Sequence, residues 1–295
     1  MTGGERSPSG LTGFDSTYVD IGHLKVHAVV GGEGPTVVLL HGFAQTWRAW
    51  REVMPLLAAH YRVIAPDLRG VGGSTVTFDG FDKRTMAGDV AGLLDALGVR
   101  SASVVGHDIG GMVAYAFAKS HSDRIDKLAI AAVLMPEQAW YGFPLIGRGS
   151  PWWFGFHAVP LLPDRLIAAS LSFYFDWFFD FHDPGENYDA SGITAADREA
   201  YVHAYSAPGA LSAALGWFRA FPQDIVDNDA WLADPLDVPY LAIAEPHVMA
   251  PMTNQAKRIS NNHQVVEIAP SGHWVTQQQP AQVSDALTAF LADES

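Results

Sequence analysis

The chain has 295 residues, of which 48% are hydrophobic and 17% charged, and it contains nine Trp and sixteen Phe. This length fits one large domain, or one domain with a substantial insertion, and so many aromatic side chains indicate that some of them line a cavity. A formal net charge of −14 argues against nucleic acid as a partner, because phosphate binding requires clustered cationic side chains. The absence of cysteine excludes disulfides, thiol nucleophiles and thiolate metal sites.

Residues 1–14 are rich in Gly and Ser, and we expect them to form a flexible N-terminus. They lack the apolar stretch of a secretory signal. No apolar run in the sequence reaches the ~18–20 residues that are needed to span a bilayer. The sequence therefore predicts a cytoplasmic protein that does not insert into membranes.

Strand-like and helix-like segments alternate through the first half of the chain. The predicted strands are 36–40, 61–65, 102–105 and 127–133, and the predicted helices are 86–97 and 112–120. Strands return at 239–244 and 264–268, and a last helix is predicted over 280–291. This alternation is typical of an α/β fold with a mostly parallel sheet flanked by helices on both faces.

Residues 137–224 interrupt this alternation, because they contain no β-rich run and are crowded with aromatic side chains. Among these aromatic residues are Trp140, Trp152, Trp153, Tyr174 and Trp177. The segment could simply enlarge the core, but its length and composition favour a helical cap that faces a ligand cavity. We therefore predict one α/β core, formed by 15–136 and 225–295, with a helical cap at 137–224.

The segment from Gly106 to Gly110 has the form Gly-x-nucleophile-x-Gly and lies between a predicted strand and a predicted helix. Glycines are needed there because the strained turn brings the strand and the helix close together. The nucleophile position holds Asp108 rather than serine. A carboxylate is ionised near neutral pH and can attack an sp³ carbon directly, which forms an ester that water must hydrolyse. The alternative is an aspartate that only caps the following helix.

Further motifs appear in an order that resembles the α/β-hydrolase superfamily, and specifically its branch of epoxide hydrolases and haloalkane or haloacetate dehalogenases. They are His41-Gly42-Phe43, Asp67-Leu68-Arg69-Gly70, the turn around Asp108, and Gly272-His273-Trp274. The resemblance extends from about residue 17 to the end of the chain, and it is specific as a set.

This resemblance implies an α/β-hydrolase fold in which Asp108 is the nucleophile and His273 is the general base for water. The backbone N–H groups of Phe43 and Ile109 would form the oxyanion hole. It implies no metal and no organic cofactor. His107 precedes the nucleophile, and we expect it to be structural and to contact the substrate rather than to be catalytic.

The loop after the second core strand is expected to support the site without taking part in the chemistry. Asp67 and Arg69 would brace this loop, and His41 would be a structural residue of the neighbouring loop. Scattered histidines elsewhere lack the spacing of metal ligands and are expected to be surface or packing residues.

Epoxide opening requires a proton donor opposite the nucleophile, and related epoxide hydrolases supply it from the cap. Tyr205 fits this role, because it lies in a stretch that resembles the cap-tyrosine motif. The second donor is open, since Trp152 and Trp153 occupy the place where some relatives have histidine. An indole N–H donates a hydrogen bond but cannot deliver a proton. The alternatives for the second donor are Tyr174, His157 and Tyr141.

Dehalogenation remains the alternative reaction. Haloalkane dehalogenases resembling this chain carry Trp after the nucleophile and often Asn after His-Gly, where this chain has Ile109 and Phe43. Fluoroacetate-type enzymes carry arginines after the nucleophile, and these arginines hold the carboxylate of the substrate. This chain has the apolar Ile109 and Met112 there, so it offers no cation to bind a small anionic substrate. A halide could still be held by the indole N–H groups of Trp152 and Trp153.

The acid that should orient His273 is the least certain residue of the site. Ala132 and Val133 stand where some relatives carry a carboxylate. Glu245, after a late strand, is our candidate, and Glu137 is the second choice. If neither carboxylate reaches His273, a water molecule or a backbone carbonyl must orient the ring.

The sequence thus predicts an epoxide hydrolase for a bulky, hydrophobic or aromatic small molecule, contacted by Trp152, Trp153, Tyr174 and His107. In style the sequence resembles actinobacterial tailoring enzymes that act on aromatic polyketide epoxides. A non-catalytic relative that binds a small molecule is the alternative from another class. Both a monomer and a homodimer are compatible with the sequence.

Overall fold

The computed structural model describes residues 6–8, 10–142, 151–181 and 191–293. Within these ranges nine strands form one sheet. They are β1 (Arg6–Pro8), β2 (Phe14–Asp20), β3 (Lys25–Gly31), β4 (Thr36–Leu40), β5 (Arg62–Pro66), β6 (Ala102–His107), β7 (Ile125–Ala131), β8 (Tyr240–Ala244) and β9 (His263–Glu267). The spatial order is β1-β2-β3-β5-β4-β6-β7-β8-β9. The pairs β1–β2, β2–β3 and β3–β5 are antiparallel. The remaining pairs, β5–β4, β4–β6, β6–β7, β7–β8 and β8–β9, are parallel.

The helices fall into a core set and a set between β7 and β8. The core set consists of α1 (Met54–Leu57), α2 (Lys83–Ala96), α3 (Ile109–Ser120), α10 (Met249–Ile259), α11 (Val275–Gln278) and α12 (Pro280–Ala292). The second set consists of α4 (Trp152–Ala158), α5 (Leu162–Ala168), α6 (Leu171–Phe181), α7 (Ala195–Tyr205), α8 (Ala210–Arg219) and α9 (Phe221–Trp231). Short 3₁₀ turns occur at Trp47–Trp50 and Gln138–Gly142.

The central strands are buried on both faces, which explains their continuous apolar sequences. In β4, Val38 and Leu40 belong to one hydrophobic cluster, whereas Val37 and Leu39 belong to another on the opposite face. The first cluster includes α2, α3 and α10, and the second includes α1 and α12. The two-residue period of a strand therefore divides the core into two layers on either side of the sheet.

The predicted α/β-hydrolase fold is confirmed, including the parallel strands and the helices that follow them. Strands β2 and β3, which form the antiparallel edge of the sheet, were not among the predicted elements. Part of the N-terminus that we expected to be flexible is strand β1, because its backbone pairs with β2 from Arg6↔Thr17 to Pro8↔Asp15. Residues 1–5 and 9 lie outside the described residues.

The described residues between β7 and β8 contain helices and no strand, and their assignment as a separate helical cap stays a prediction. The predicted boundary at residue 224 falls inside α9, which continues to Trp231. Residues 143–150 and 182–190 of the predicted cap are outside the described ranges. Among the helices that the structure describes, none combines the length and the apolar character that crossing a membrane would require.

Candidate active site

Asp108 sits on a sharp turn between β6 and α3, with backbone angles of φ 51° and ψ −126°. The flanking glycines are required by close packing. A Cβ on Gly106 would lie 2.2 Å from the carbonyl oxygen of Gly110, and one on Gly110 would lie 2.3 Å from that of Leu40. The turn therefore holds the Asp108 side chain above the carboxyl edge of the sheet at the cost of backbone strain.

The carboxylate of Asp108 is held from two sides. The backbone N–H of Phe43 donates to Oδ1 at 2.8 Å, and Nε2 of His273 lies 3.6 Å from Oδ2. Asp108 makes no side-chain capping hydrogen bond to α3, so the interpretation of this residue as a simple helix cap is not supported. Ile109 is the first residue of α3, and its position at the positive end of the helix dipole suits a group that faces an oxyanion.

His273 is a neutral base at neutral pH. Burial lowers the pKa of His273 well below its ordinary value, the neighbouring His107 lowers it further, and a hydrogen bond with the backbone of Ala132 opposes them. Ala132 follows β7 and has a φ of 52°. A neutral imidazole can accept a proton from water, which is the state required of a general base.

The two predicted carboxylates occupy different surroundings. Glu245 follows β8 directly and is buried, and its predicted role as the acid that orients His273 stays a prediction. Glu137 forms an ion pair with Arg258, with 2.6 Å between the oxygen and the nitrogen, so its carboxylate is engaged elsewhere. The hydrogen bond of His273 with the backbone of Ala132 corresponds to the other possibility raised above, in which a backbone carbonyl orients the imidazole ring.

Asp67 braces the neighbouring loop, in agreement with its expected role. Its carboxylate accepts hydrogen bonds from the backbone N–H groups of Trp47 and Gly73, at 2.9 Å each, and contacts the ring of His27 at 2.7 Å. His41 is fully buried and receives the backbone N–H of Leu68 at 3.0 Å.

Arg69 also has the expected bracing role. Its guanidinium forms a two-pronged pair with Asp89, with both N–O distances at 2.5 Å. This pair connects the loop after β5 to helix α2.

The ring of Phe43 lies under a group of aromatic side chains from the inserted helices. Four of them meet it nearly edge-on, with centroids 5.0–6.2 Å away, and they are Phe175, Phe178, Tyr205 and Phe218. The imidazole of His157 lies 4.8 Å from the same ring. Phe43 therefore contacts Asp108 through its backbone N–H and this aromatic group through its ring.

Tyr205 is buried in this group, and its hydroxyl donates to the backbone carbonyl of Gln45 at 3.1 Å. Burial raises the pKa of Tyr205 well above its ordinary value, and the charges of Asp108 and Asp67 raise it further. The phenol therefore keeps its proton at neutral pH. To reach a substrate oxygen, this hydroxyl would exchange its bond to Gln45 for one to the substrate.

A second polar pair joins α4 and α6. Nε2 of His157 and the hydroxyl of Tyr174 are 2.6 Å apart. His157 is fully buried, and its ring packs at 4.5 Å from Phe218 as well as on Phe43. Burial raises the pKa of Tyr174, so this phenol is also protonated. Two of the three alternatives for the second donor are therefore hydrogen-bonded to each other.

The two predicted tryptophans differ in their surroundings. Trp152 is 38% exposed and contacts the ring of Trp177 at 5.5 Å, whereas Trp153 packs against Phe178 at 6.2 Å, next to the aromatic group around Phe43. Contact of either indole with substrate stays a prediction, but Trp153 is the better placed of the two. Tyr141, the third alternative donor, is 63% exposed.

His107 is fully buried, and both of its ring nitrogens have partners. Nε2–H donates to the backbone carbonyl of His273 at 2.7 Å, and Nδ1 lies 3.1 Å from the side-chain oxygen of Gln45. This arrangement agrees with a structural role, and a substrate contact stays a prediction. Gln45 itself was missed at the sequence level, because no motif marks it.

A sequence profile of the alpha/beta hydrolase fold matches residues 35–277. The chain belongs to the α/β-hydrolase family. This hydrolase is 31% identical to a soluble epoxide hydrolase of Corynebacterium sp. (strain C12) over 279 residues, which cover 91% of this chain and 94% of that relative. A fluoroacetate dehalogenase of Burkholderia sp. is 29% identical over 294 residues, or 95% of each chain. The solved structure of the epoxide hydrolase CorEH without ligand is similar with a TM-score of 0.85 at 30% identity, covering 95% of this chain and 99% of the other.

Proposed function

We propose that this α/β hydrolase opens epoxides to diols through a covalent ester on Asp108. The observation that carries the proposal is an aspartate in the nucleophile turn with one carboxylate oxygen on the N–H of Phe43 and the other facing His273. The names of several relatives, among them the epoxide hydrolases of Corynebacterium and mycobacterial and mammalian species, support this reaction.

In the first step, Oδ2 of Asp108 forms a bond to an epoxide carbon while the bond between that carbon and the ring oxygen breaks. The electron pair on the released oxygen takes up a proton from Tyr205, with the His157–Tyr174 pair as the second donor. Tyr205 lies in the aromatic group that covers Phe43, and Tyr174 borders this group through His157. In the proposed mechanism both phenols approach the substrate oxygen from the side opposite the sheet. The product of this step is a hydroxyalkyl ester.

In the second step, neutral His273 takes a proton from water, and the hydroxide attacks the ester carbon of Asp108. Oδ1 then carries the negative charge, and the N–H groups of Phe43 and Ile109 stabilise it. The ester bond breaks, protonated His273 gives its proton to the released diol oxygen, and the acid formed on Asp108 gives up the second proton of water, which restores the carboxylate and, through solvent, the phenol that donated in the first step. The low pKa of His273 favours its neutral state before water is activated.

The substrate class follows from the lining of the site. Phe43, Phe178, Phe218 and Trp153 pack ring against ring beside Asp108, while the buried Ile109 and Met112 offer no cation to an anionic substrate. These contacts favour a bulky, hydrophobic epoxide, such as that of an aromatic polyketide. The aromatic-polyketide assignment is part of the proposal and depends on the sequence resemblance.

The test is to trap the ester. His273→Gln should form a covalent adduct on Asp108 whose added mass equals that of the epoxide, while the unmodified enzyme turns over. In a single turnover of the unmodified enzyme in water enriched in oxygen-18, the heavy oxygen should enter Asp108 and not the diol. His263→Gln, a change outside the site, is the control and should behave like the unmodified enzyme. No adduct and no diol across a panel of aryl and alkyl epoxides would contradict the proposal.

Dehalogenation is the second candidate, since a fluoroacetate dehalogenase is among the relatives and Trp153 borders the aromatic group. The same His273→Gln variant would form an ester from a haloalkane with release of halide. Halide release without diol formation from any epoxide would decide for this reaction.

A further inference from the structure

Gln45 is the point at which three parts of the site meet, and it is completely buried. Its backbone carbonyl accepts the hydroxyl of Tyr205 from α7 at 3.1 Å. Its side-chain amide lies 2.8 Å from the amide oxygen of Gln277 and 3.1 Å from Nδ1 of His107. Gln45 also follows Phe43, whose N–H holds the nucleophile, by only two residues.

The contacts of Gln45 continue into the cap and towards the general base. The hydroxyl of Tyr201 donates to the amide oxygen of Gln277 at 3.2 Å. In the other direction, His107 donates from Nε2 to the backbone carbonyl of His273 at 2.7 Å. The result is one buried chain of hydrogen bonds, here called the Gln45 chain, which runs from Tyr201 through Gln277, Gln45 and His107 to His273.

The ring of His107 limits how this chain is arranged. Nε2 must carry a proton, because it faces a carbonyl oxygen. Burial lowers the pKa of His107. On its other side the ring meets Gln45, whose side-chain oxygen lies 3.1 Å from Nδ1 and whose NH₂ group donates to the amide oxygen of Gln277 at 2.8 Å. The side chain of Gln45 therefore connects the ring of His107 to Gln277.

We propose that Gln45 is a positioning residue that ties the cap tyrosines to the general base, and that it acts mainly in the hydrolysis of the ester. This inference rests on the proposed function of the same site. The nucleophile is held independently of the chain by the turn and by the N–H of Phe43. The backbone of His273, in contrast, depends on His107 and therefore on Gln45. Loss of the Gln45 side chain should let the imidazole drift from the attacking water and leave Asp108 in place.

The experiment compares Gln45→Met with Gln255→Met in the full chain. Gln255 is a matched control, because it is also a buried glutamine and its amide makes two hydrogen bonds to the backbone of Met135, at 2.7 and 3.0 Å. Rapid-quench mass spectrometry with an epoxide gives the rates of ester formation and ester hydrolysis separately. Gln45→Met should slow ester hydrolysis by roughly 10- to 100-fold with a much smaller effect on ester formation, so that the adduct accumulates. Gln255→Met should leave the ratio of the two rates unchanged.

A second readout does not require a substrate. Backbone hydrogen exchange in the segment 270–279 should become faster in Gln45→Met than in the unmodified protein and should be unchanged in Gln255→Met. Tyr201→Phe removes only a hydroxyl and preserves packing. It should slow ester hydrolysis and speed up exchange in 270–279, each by less than Gln45→Met does. This variant keeps the test available if Gln45→Met does not fold. Failure of the unmodified enzyme to form an adduct or diol contradicts the proposed function alone. Unchanged exchange in 270–279, or equal slowing of both half-reactions, would overturn the role of Gln45.

Discussion

At the scale of single residues, the proposed reaction requires different states of Asp108 and His273 in its two halves. The first half needs an ionised carboxylate and no base, and the second half needs an unprotonated imidazole. Burial lowers the pKa of His273, which favours the neutral ring beside Oδ2 of Asp108, 3.6 Å away. A protonated His273 would hold Oδ2 of Asp108 and weaken it as a nucleophile.

Tyr205→Phe should reduce the rate of ester formation by about 10²–10⁴-fold, the range expected for loss of a general acid. The ring of Tyr205 lies 6.0 Å from that of Phe43 and its phenol is protonated, and phenylalanine keeps the packing of the ring. Pre-steady-state formation of the Asp108 ester is the measurement. Tyr115→Phe is the control, because Tyr115 is buried in α3 within the core. An unchanged rate in Tyr205→Phe would remove Tyr205 from the mechanism.

The residues of the site divide into those with a sequence signal and those without one. Asp108, His273 and Phe43 stand in motifs, and the structure brings them together. Gln45 and Gln277 are 232 positions apart in the chain, and their contact depends on packing that no local pattern encodes. The contact of Ala132 with His273 uses the backbone, so residue type gives no indication of it. Tyr201 could have been found, because it lies one helical turn before Tyr205 on the same face.

At the scale of elements, a buried ion pair joins α2 to α9, the last helix before β8. Nζ of Lys83, the first residue of α2, lies 2.6 Å from Oδ2 of Asp224 in α9 and donates to the backbone carbonyl of Trp217 at 2.6 Å. The backbone N–H of Lys83 donates to Oδ1 of Asp224 at 2.8 Å. Burial raises the pKa of Asp224 even though Lys83 opposes that shift. This contact fixes α9, and with it the end of the inserted helices, on α2.

Lys83→Met should lower the free energy of unfolding by about 3–5 kcal/mol, because it leaves a buried carboxylate without its cation. The double variant Lys83→Met with Asp224→Leu should recover most of this loss. Arg84→Met is the matched control, since the neighbouring pair of Arg84 with Asp227 is exposed on the Arg84 side and such pairs contribute about 1 kcal/mol or less. Urea unfolding measures all three variants. Equal losses for Lys83→Met and Arg84→Met would contradict the assignment.

The elements that could be predicted are those buried on both faces. Strand β4 and the other parallel strands have continuous apolar sequences, and α3 follows directly from the nucleophile turn. Strands β2 and β3 were missed because one face of this edge is partly exposed and polar groups such as Ser16 and His27 pair there at 2.8 Å. These polar residues interrupt the apolar ones in both strands, so neither β2 nor β3 has the continuous apolar run of β4.

At the scale of the whole molecule, three buried histidines with lowered pKa values link stability to pH. Burial is the largest influence on His41, His107 and His273, and it lowers the pKa of each below the ordinary 6.5. In the unfolded chain these rings bind protons near pH 6.5, whereas in the native protein they do not. The unfolded state therefore gains protons first as the pH falls, and each histidine removes up to about 1.4 kcal/mol of stability per pH unit. Asp224 acts in the opposite direction, because its pKa is raised in the folded protein. The native state therefore binds a proton at Asp224 before the unfolded state does, which offsets the uptake of at most one proton by the unfolded histidines.

The free energy of unfolding should accordingly fall by at least about 2 kcal/mol between about pH 7.5 and pH 5.5. Urea titrations at constant ionic strength measure it. The sign separates this cause from general charge repulsion, because a chain of net charge −14 becomes less charged on acidification and would gain stability from that change. A constant or rising stability over this range would contradict the linkage to the buried histidines.

The packing under Asp108 restricts which mutations this scaffold can accumulate. A Cβ on Gly42 would lie 2.5 Å from the Cβ of Asp108, and Gly106 and Gly110 are equally confined. Substitution of any of these three glycines is therefore excluded by steric overlap. Ile109 and Met112 are ordinary helical residues next to the same carboxylate. Selection for another leaving group or for an anionic substrate would therefore act first on these two positions. Single substitutions at Ile109 and Met112 would change the site while the turn around Asp108 stays the same.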